Sequence, residues 1–516
     1  MMIKWICATA VICVVAGAVA AAPPAVGRSD GAALARFYDQ QPRWTRCQIA
    51  PDDEAGAQLD RAGAQCADVV VPLDYANPAG RTISVAISRL PASDTAHRIG
   101  TLVIGAGGPG EPGLHLPLPT RDAMRQTGAR FDLVGVDPRF VGRSMAVDCY
   151  WPTGLFLRSP GPERAGFDRQ VAFNRHLAEL CWRRAADVLV HASTRNTARD
   201  MDVIRAAVGE RRISYLGYSY GSYLGAVYTQ LFGTRTDRVV LDSAPDPRRW
   251  GLPTSLSDAA RVNERALRAF ARWAAARDAT FGLGATGAQV LATVDRITRA
   301  AADRPLRVGD YQVDAHVVPT IIWMRVGDDR DQPRAGLADT VRILRRAATL
   351  APADPPVEPT PELDQVLRIL LTGEFSWLGS ALTSVLCADV AAAQDPETYW
   401  RNIQRTRRSQ PTFGPLLNNI SPCAFWRRGP LEAPTTVRNS TSALIVSATG
   451  DSRTTYRGAQ ALRTLMTGSR LLTLRGVIAH GIYGEYGDAC VDAYLASGHL
   501  SRTDLICTAG DHDRRS

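Results

Sequence analysis

The chain has almost no lysine: of its 60 basic residues, Lys4 alone is lysine and the others are arginine. Beyond the N-terminal segment, no run is both apolar enough and long enough to cross a bilayer as a helix. No Cys-x-x-Cys pair and no His-Glu-x-x-His helix occurs, and the histidines are isolated. A zinc, thioredoxin-type or other metal site is therefore not expected, and no cofactor is implied. No internal repeat is present, which excludes solenoids and propellers. The net charge of +9 is scattered, with "RRAADVLVHASTR" and "QRTRRSQ" as the local basic clusters. Without a recognition motif this reads as solvated surface, and no nucleic-acid partner is expected.

The N-terminus is the opposite case. "MMIK" is a short positive head, "WICATAVICVVAGAVA" is an apolar run, and Ala18-Val19-Ala20 supplies small residues for cleavage. Residues 1–22 are expected to be a secretory signal peptide. Cys13 is a poor lipid-anchor cysteine, because Ile12 before it is large and it lies inside the apolar run. The mature protein is expected outside the cell or associated with its envelope, as a monomer with no stable membrane anchor. Cys7 and Cys13 would leave with the signal. The other eight cysteines, in an oxidising compartment, suggest disulfides. Nearest-neighbour pairing gives Cys47–Cys66, Cys149–Cys181, Cys387–Cys423 and Cys490–Cys507.

Short β-rich runs lie at 67–75, 82–90, 100–107, 131–137, 212–219 and 238–244, and several are continuously apolar, as strands buried on both faces should be. Helical patterns at 167–185, 197–209 and 222–232 alternate with them, which implies βαβ units and a three-layer α/β domain. After Ala244 the strand pattern stops. Helical candidates follow at 256–277, 288–302 and 337–350, with the proline-rich "APADPPVEPTP" at 351–361. Strand patterns resume at 442–451 and 469–476, around a helix at 456–466. The expected division is a core in two parts, 23–250 and 436–516, split by a mainly helical cap, 251–435, inserted after the sixth strand.

Within "RISYLGYSYGSYLGAVYTQLF" lies Gly217-Tyr218-Ser219-Tyr220-Gly221. Gly-x-Ser-x-Gly alone is weak, since roughly one chain in five of this length would carry it by chance. The context is stronger: a strand enters, a turn needs small neighbours, and a helix leaves with its N-terminus facing developing negative charge. A nucleophilic serine needs a base and the base an orienter. In the α/β-hydrolase order these are Asp451, after "ALIVSATG", and His480, after "RLLTLRGVIAHG". Each has a plainer reading, Asp451 as a helix N-cap and His480 as a loop histidine. Tyr220 and Gly108 are the candidates for backbone N–H donors to an oxyanion. The loop at 105–110 also matches Gly-x-Gly-x-x-Gly, with Asp137 ending the next strand, as in a dinucleotide site. Pro109 and Pro112 spoil the helix start that such a site requires.

"ARDMDVIRAAVGERRISYLGYSYGSYLGAVYTQLFGTRTDRVVLDSAPDP", "GAGGPGEPG", "FDLVGVDPRFVGRS", "LCAD", "CAFW", "ATGDSRTTY" and "IAHGIYG" together resemble the secreted tripeptidyl-aminopeptidase-like serine hydrolases, α/β-hydrolases related to proline iminopeptidase. The resemblance covers nearly the whole mature chain. It implies an α/β-hydrolase fold, a mostly parallel sheet flanked by helices, and a serine exopeptidase with Ser219, Asp451 and His480 as triad. Its substrates would be peptides with a free N-terminus, from which short N-terminal peptides are released. Two departures bear on substrate preference: the family usually has glycine where Phe140 stands, and its glycine-rich loop usually lacks a residue like Glu111. Both are expected near the site entrance. An esterase on the same scaffold and a non-catalytic binding module stay open, because fold does not fix the leaving group. For the amine anchor of an exopeptidase, Asp389 in "LCAD" is the first candidate and Glu374 in "TGEFSW" the second, each with a solvated or helix-capping role as its plainer reading.

Overall fold

The computed structural model describes residues 28–486 and 488–508. The expected signal segment, with Cys7 and Cys13, lies outside them. Nine strands form one sheet: β1 (Gln65–Pro72), β2 (Thr82–Leu90), β3 (Gly100–Gly105), β4 (Phe131–Val136), β5 (Ile213–Tyr218), β6 (Thr236–Asp242), β9 (Leu444–Ala448), β10 (Arg470–Arg475) and β11 (Leu505–Thr508). Two more, β7 (Leu306–Val308) and β8 (Tyr311–Val313), make a separate antiparallel hairpin. The sheet order is β1-β2-β4-β3-β5-β6-β9-β10-β11. β1 and β2 pair antiparallel with each other, β2 pairs antiparallel with β4, and every later pair is parallel. Parallel strands need crossover connections, which is why the apolar runs alternate with helices such as Thr194–Ala207 and Tyr220–Phe232.

β5, β9 and most of β3 are buried along their length, matching their continuous apolar sequence. The two faces of the sheet pack against different apolar clusters. Val103, Tyr215 and Leu241 belong to the larger, Leu102, Leu216 and Val240 to the smaller, and alternate residues of one strand therefore part company.

Between β6 and β9 the chain is mainly helical, from Thr254–Ala275 through Gly287–Asp303, Asp331–Ala348, Pro361–Leu371, Ser376–Asp389 and Pro396–Arg407. The β7–β8 hairpin interrupts this run. Its strands have three residues each, too few for a period-two pattern to stand out. The proline-rich stretch is not idle either, since Val357 bridges to Val308 of that hairpin.

Three of the expected disulfides are present, with Cα–Cα distances of 4.9 Å (Cys47–Cys66), 4.6 Å (Cys149–Cys181) and 5.2 Å (Cys387–Cys423). The fourth expectation is corrected: Cys490 and Cys507 are not joined to each other. Cys490 lies on helix Asp488–Ser497 and Cys507 on β11, and each packs against the smaller apolar cluster. Phe140 is also not at an entrance. It is 2% exposed, in the larger core cluster.

Candidate active site

Ser219 stands between β5 and helix Tyr220–Phe232 with φ 55° and ψ −116°. A non-glycine residue at positive φ is strained, and it persists only where its surroundings over-determine it. Here they do. The Ser219 N–H donates to the Asp242 carbonyl at 2.9 Å, and the buried Tyr215 hydroxyl donates to the Gly221 carbonyl at 2.6 Å. The two flanking glycines are required by space. A Cβ on Gly217 would lie 2.4 Å from the Gly221 oxygen, and one on Gly221 would lie 2.3 Å from the Gly105 oxygen. The tight turn thus packs directly on the end of β3, where the glycine-rich loop begins.

Asp451 follows β9 and is fully buried. Its carboxylate accepts from the N–H groups of Arg453 (2.8 Å) and Thr454 (3.0 Å) and from the Thr454 hydroxyl (3.0 Å). His480 Nδ1 lies 3.0 Å from both Asp451 oxygens. The helix that follows is capped at Thr455, so Asp451 is not its N-cap. The plain loop reading of His480 fails as well, because its ring is oriented by a buried carboxylate. That carboxylate favours the tautomer with a proton on Nδ1 and leaves Nε2 to face a substrate.

The loop carrying His480 is held by acids that the sequence reading passed over. Asp242, at the end of β6, accepts from the Ile482 and Tyr483 N–H groups at 2.7 Å each, and burial raises its pKa to about 6. Gly481 N–H donates to the Ser243 hydroxyl at 2.9 Å. Asp329, from the helical insertion, exchanges two bonds of 3.0 Å with Ile478. An acid at the C-terminal end of a parallel strand, in "VVLDSA", was the available signal for Asp242.

Ser219 and His480 line one cavity of about 350 Å³ with Gly108, Glu111 and Tyr220. Helices of the insertion enclose it through Leu256, Trp323, Leu382 and Leu386. Gly108 has φ +99° and faces the cavity. Tyr220 opens its helix, so its N–H is among the first-turn donors that have no acceptor within the helix. Asp137 is no ribose ligand: it is buried and accepts from the N–H groups of Gly113 (2.8 Å), Leu114 (3.1 Å) and Arg143 (2.8 Å), fixing the end of the glycine-rich loop.

Neither expected amine anchor reaches this cavity. Asp389 is buried, and its oxygens accept from the Thr194 N–H (2.7 Å), the Thr194 hydroxyl (2.6 Å) and the Trp250 indole N–H (2.8 Å). It borders a different cavity, of about 630 Å³. Burial raises its pKa to about 6, against the pull of those donors. Glu374 is on the surface, in an ion pair with Arg368. Both assignments are corrected: one acid is consumed by internal hydrogen bonds, the other is solvated.

A strained serine at the C-terminal end of a parallel strand, followed by a helix and sharing a cavity with a histidine oriented by aspartate, defines a serine hydrolase of the α/β-hydrolase class. Residues 100–310 match the family model described as alpha/beta hydrolase fold, and residues 410–507 the one described as TAP-like protein. The tripeptidyl aminopeptidase of Streptomyces lividans is 32% identical, with 96% of this chain and 94% of that protein covered. The serine protease Hip1 of Mycobacterium tuberculosis is 28% identical over 89% of this chain and 88% of its own length. A Mycobacterium tuberculosis protein named carboxylesterase B is 30% identical, covering 94% and 92%. The chain belongs to the tripeptidyl aminopeptidase family of α/β-hydrolases.

Proposed function

We propose that this serine hydrolase is a secreted exopeptidase that releases short peptides from free N-termini through an acyl-enzyme. The observation that carries the reading is the strained Ser219 in the same cavity as His480, whose ring is oriented by Asp451. The kinship with tripeptidyl aminopeptidases supports peptides as substrates. Ser219 Oγ attacks the scissile carbonyl while His480 Nε2 takes its proton. Asp451 holds the imidazole and stabilises the imidazolium that forms. The oxyanion is met by the N–H groups of Gly108 and Tyr220, at the positive end of helix Tyr220–Phe232. His480 then returns the proton to the leaving amine. Water, activated by the same histidine, attacks the acyl-enzyme ester and releases the N-terminal fragment. The helical insertion walls one side of the cavity and narrows the room for a substrate chain beyond Ser219.

A second reading, hydrolysis of simple esters, is favoured by the apolar lining of Leu256, Leu382 and Leu386 and by the kinship with carboxylesterase B. Chromogenic tripeptidyl and aminoacyl anilides compared with short-chain esters separate the two. The peptidase reading expects a free-amine anilide to be cleaved with a higher kcat/KM than its N-acetyl counterpart. Cleavage of esters with no anilide turned over overturns it. Export is tested by finding the protein, shortened at its N-terminus, outside the membrane of the producing cell.

A further inference from the structure

With Asp389 and Glu374 removed from the cavity, its charges can be taken one by one. Arg249 and Asp258 bind each other, with Nη2 to Oδ1 at 2.6 Å. Asp246 is bound by Arg248 at 2.8 Å. The Arg453 guanidinium lies 4.1 Å above the Trp323 ring, with Nη1 3.2 Å from Asn263 Oδ1. Glu111 remains. Among the described residues it has no ion-pair partner, yet it lines the cavity with Ser219 and His480. The residue itself is exposed, yet the protein packed around its carboxyl still pushes its pKa up, against the pull of His480.

Position makes this acid consequential. Its carboxyl is folded back over the glycine-rich loop: a Cβ placed on Gly107 would lie 2.9 Å from Glu111 Oε2, and the carboxyl faces the Gly107 N–H. Gly107 precedes Gly108, the proposed oxyanion donor. A bare carboxylate there opposes the negative charge that develops on the substrate oxygen. A positive charge arriving with the substrate removes that opposition, adding to the pull of His480.

We infer that Glu111 receives the cationic group of the substrate, and that the N-terminal ammonium is that group. This rests on the proposed peptidase reading and deepens it. The bound ammonium gains charge-assisted hydrogen bonds, and it also neutralises the acid beside the oxyanion. A substrate with a blocked amine gains neither. A lysine or arginine side chain next to the scissile bond has the same chemistry and is the rival source of the charge.

The test compares the native enzyme with Glu111→Gln on three anilides: a free-amine peptide with neutral side chains, its N-acetyl counterpart, and an N-acetyl peptide ending in lysine. Glutamine keeps an oxygen for the Gly107 N–H, so the loop is retained. Labelling by a fluorophosphonate counts folded active sites, and Glu111→Ala is the second variant should glutamine fail to fold. The expected result is that the free-amine to N-acetyl ratio of kcat/KM falls about tenfold to a hundredfold, with the acetylated substrate cleaved faster than by the native enzyme. A fall confined to the lysine substrate keeps Glu111 as the cation receptor and assigns the charge to the side chain. Unchanged ratios in a variant that still labels overturn the inference. Full activity of Ser219→Ala would instead overturn the peptidase reading beneath it.

Discussion

The cavity that holds Ser219 and the larger one beside it are joined through a wall in which Tyr220 and Trp250 face the first and Thr194 and Asp389 the second. Hydrogen bonds from the Tyr220 hydroxyl to that of Thr194, and from Trp250 and Thr194 to Asp389, hold the wall together. In the larger cavity Glu432 binds both Arg195 and Arg199, Asp389 accepts three bonds, and Asp74 accepts from the Ala76 N–H. In the smaller one a backbone is strained, and Glu111 has no ion-pair partner among the described residues. Volume therefore does not mark the reactive site. Backbone strain marks it, because folding tolerates strain only where the surroundings enforce it.

The largest effect that would break this contrast is on the serine. Ser219→Ala or His480→Ala should lower kcat by about 10³-fold or more without shifting the melting temperature. Ordinary turnover of the best substrate by Ser219→Ala would move the reaction elsewhere. Next comes the brace of the wall. Replacing Cys387 and Cys423 together by serine opens a bridge across a separation of 36 residues, whose last helical turn leads into Asp389. Unfolding free energy from denaturant titration should fall by about 2–4 kcal/mol.

Asp389→Asn sharpens the comparison itself. It sets an amide among three donors, and stability should fall by about 1–3 kcal/mol. The free-amine to N-acetyl ratio should stay where it was, in contrast to Glu111→Gln, and a selective rise in KM for free-amine peptides would restore Asp389 as the anchor. The pH dependence has a definite sign. The folded pKa of Asp389, about 6, lies above its ordinary value of 3.8. Its proton-linked contribution is complete below the ordinary value and is lost as pH rises through 6. The gap in melting temperature between native protein and Asp389→Asn should accordingly be wider at pH 4 than at pH 7. Smallest of all is Glu374→Gln, at an exposed ion pair with Arg368, where calorimetry and kinetics should both show no change.

What could be read in the sequence followed the range of the interactions. The elbow around Ser219 is local: strand, glycine, serine, glycine and helix fall within one stretch, and spacing alone carried it. Asp451 and His480 could be placed because each follows a recognisable strand. Asp389 was misjudged because its partners Thr194 and Trp250 are 195 and 139 residues away, and no local pattern announces that a carboxylate is already spoken for. Glu111 stood out as an odd residue in a glycine-rich loop. Its meaning required the cavity, and so did the recognition that Phe140 is core. β11 was missed since four residues at a sheet edge carry little periodicity.

The insertion between β6 and β9 has a consequence for how the protein is made. Ser219 is synthesised well before the helices that enclose it, and Asp451 and His480 come after them. β9 pairs with β6, and β10 with β9, so the sheet edge that carries the histidine cannot assemble until nearly the whole polypeptide exists. A ribosome-bound or prematurely ended chain carries a serine with no base. The order of segments in the chain thus keeps Ser219 from meeting His480 until synthesis is nearly complete.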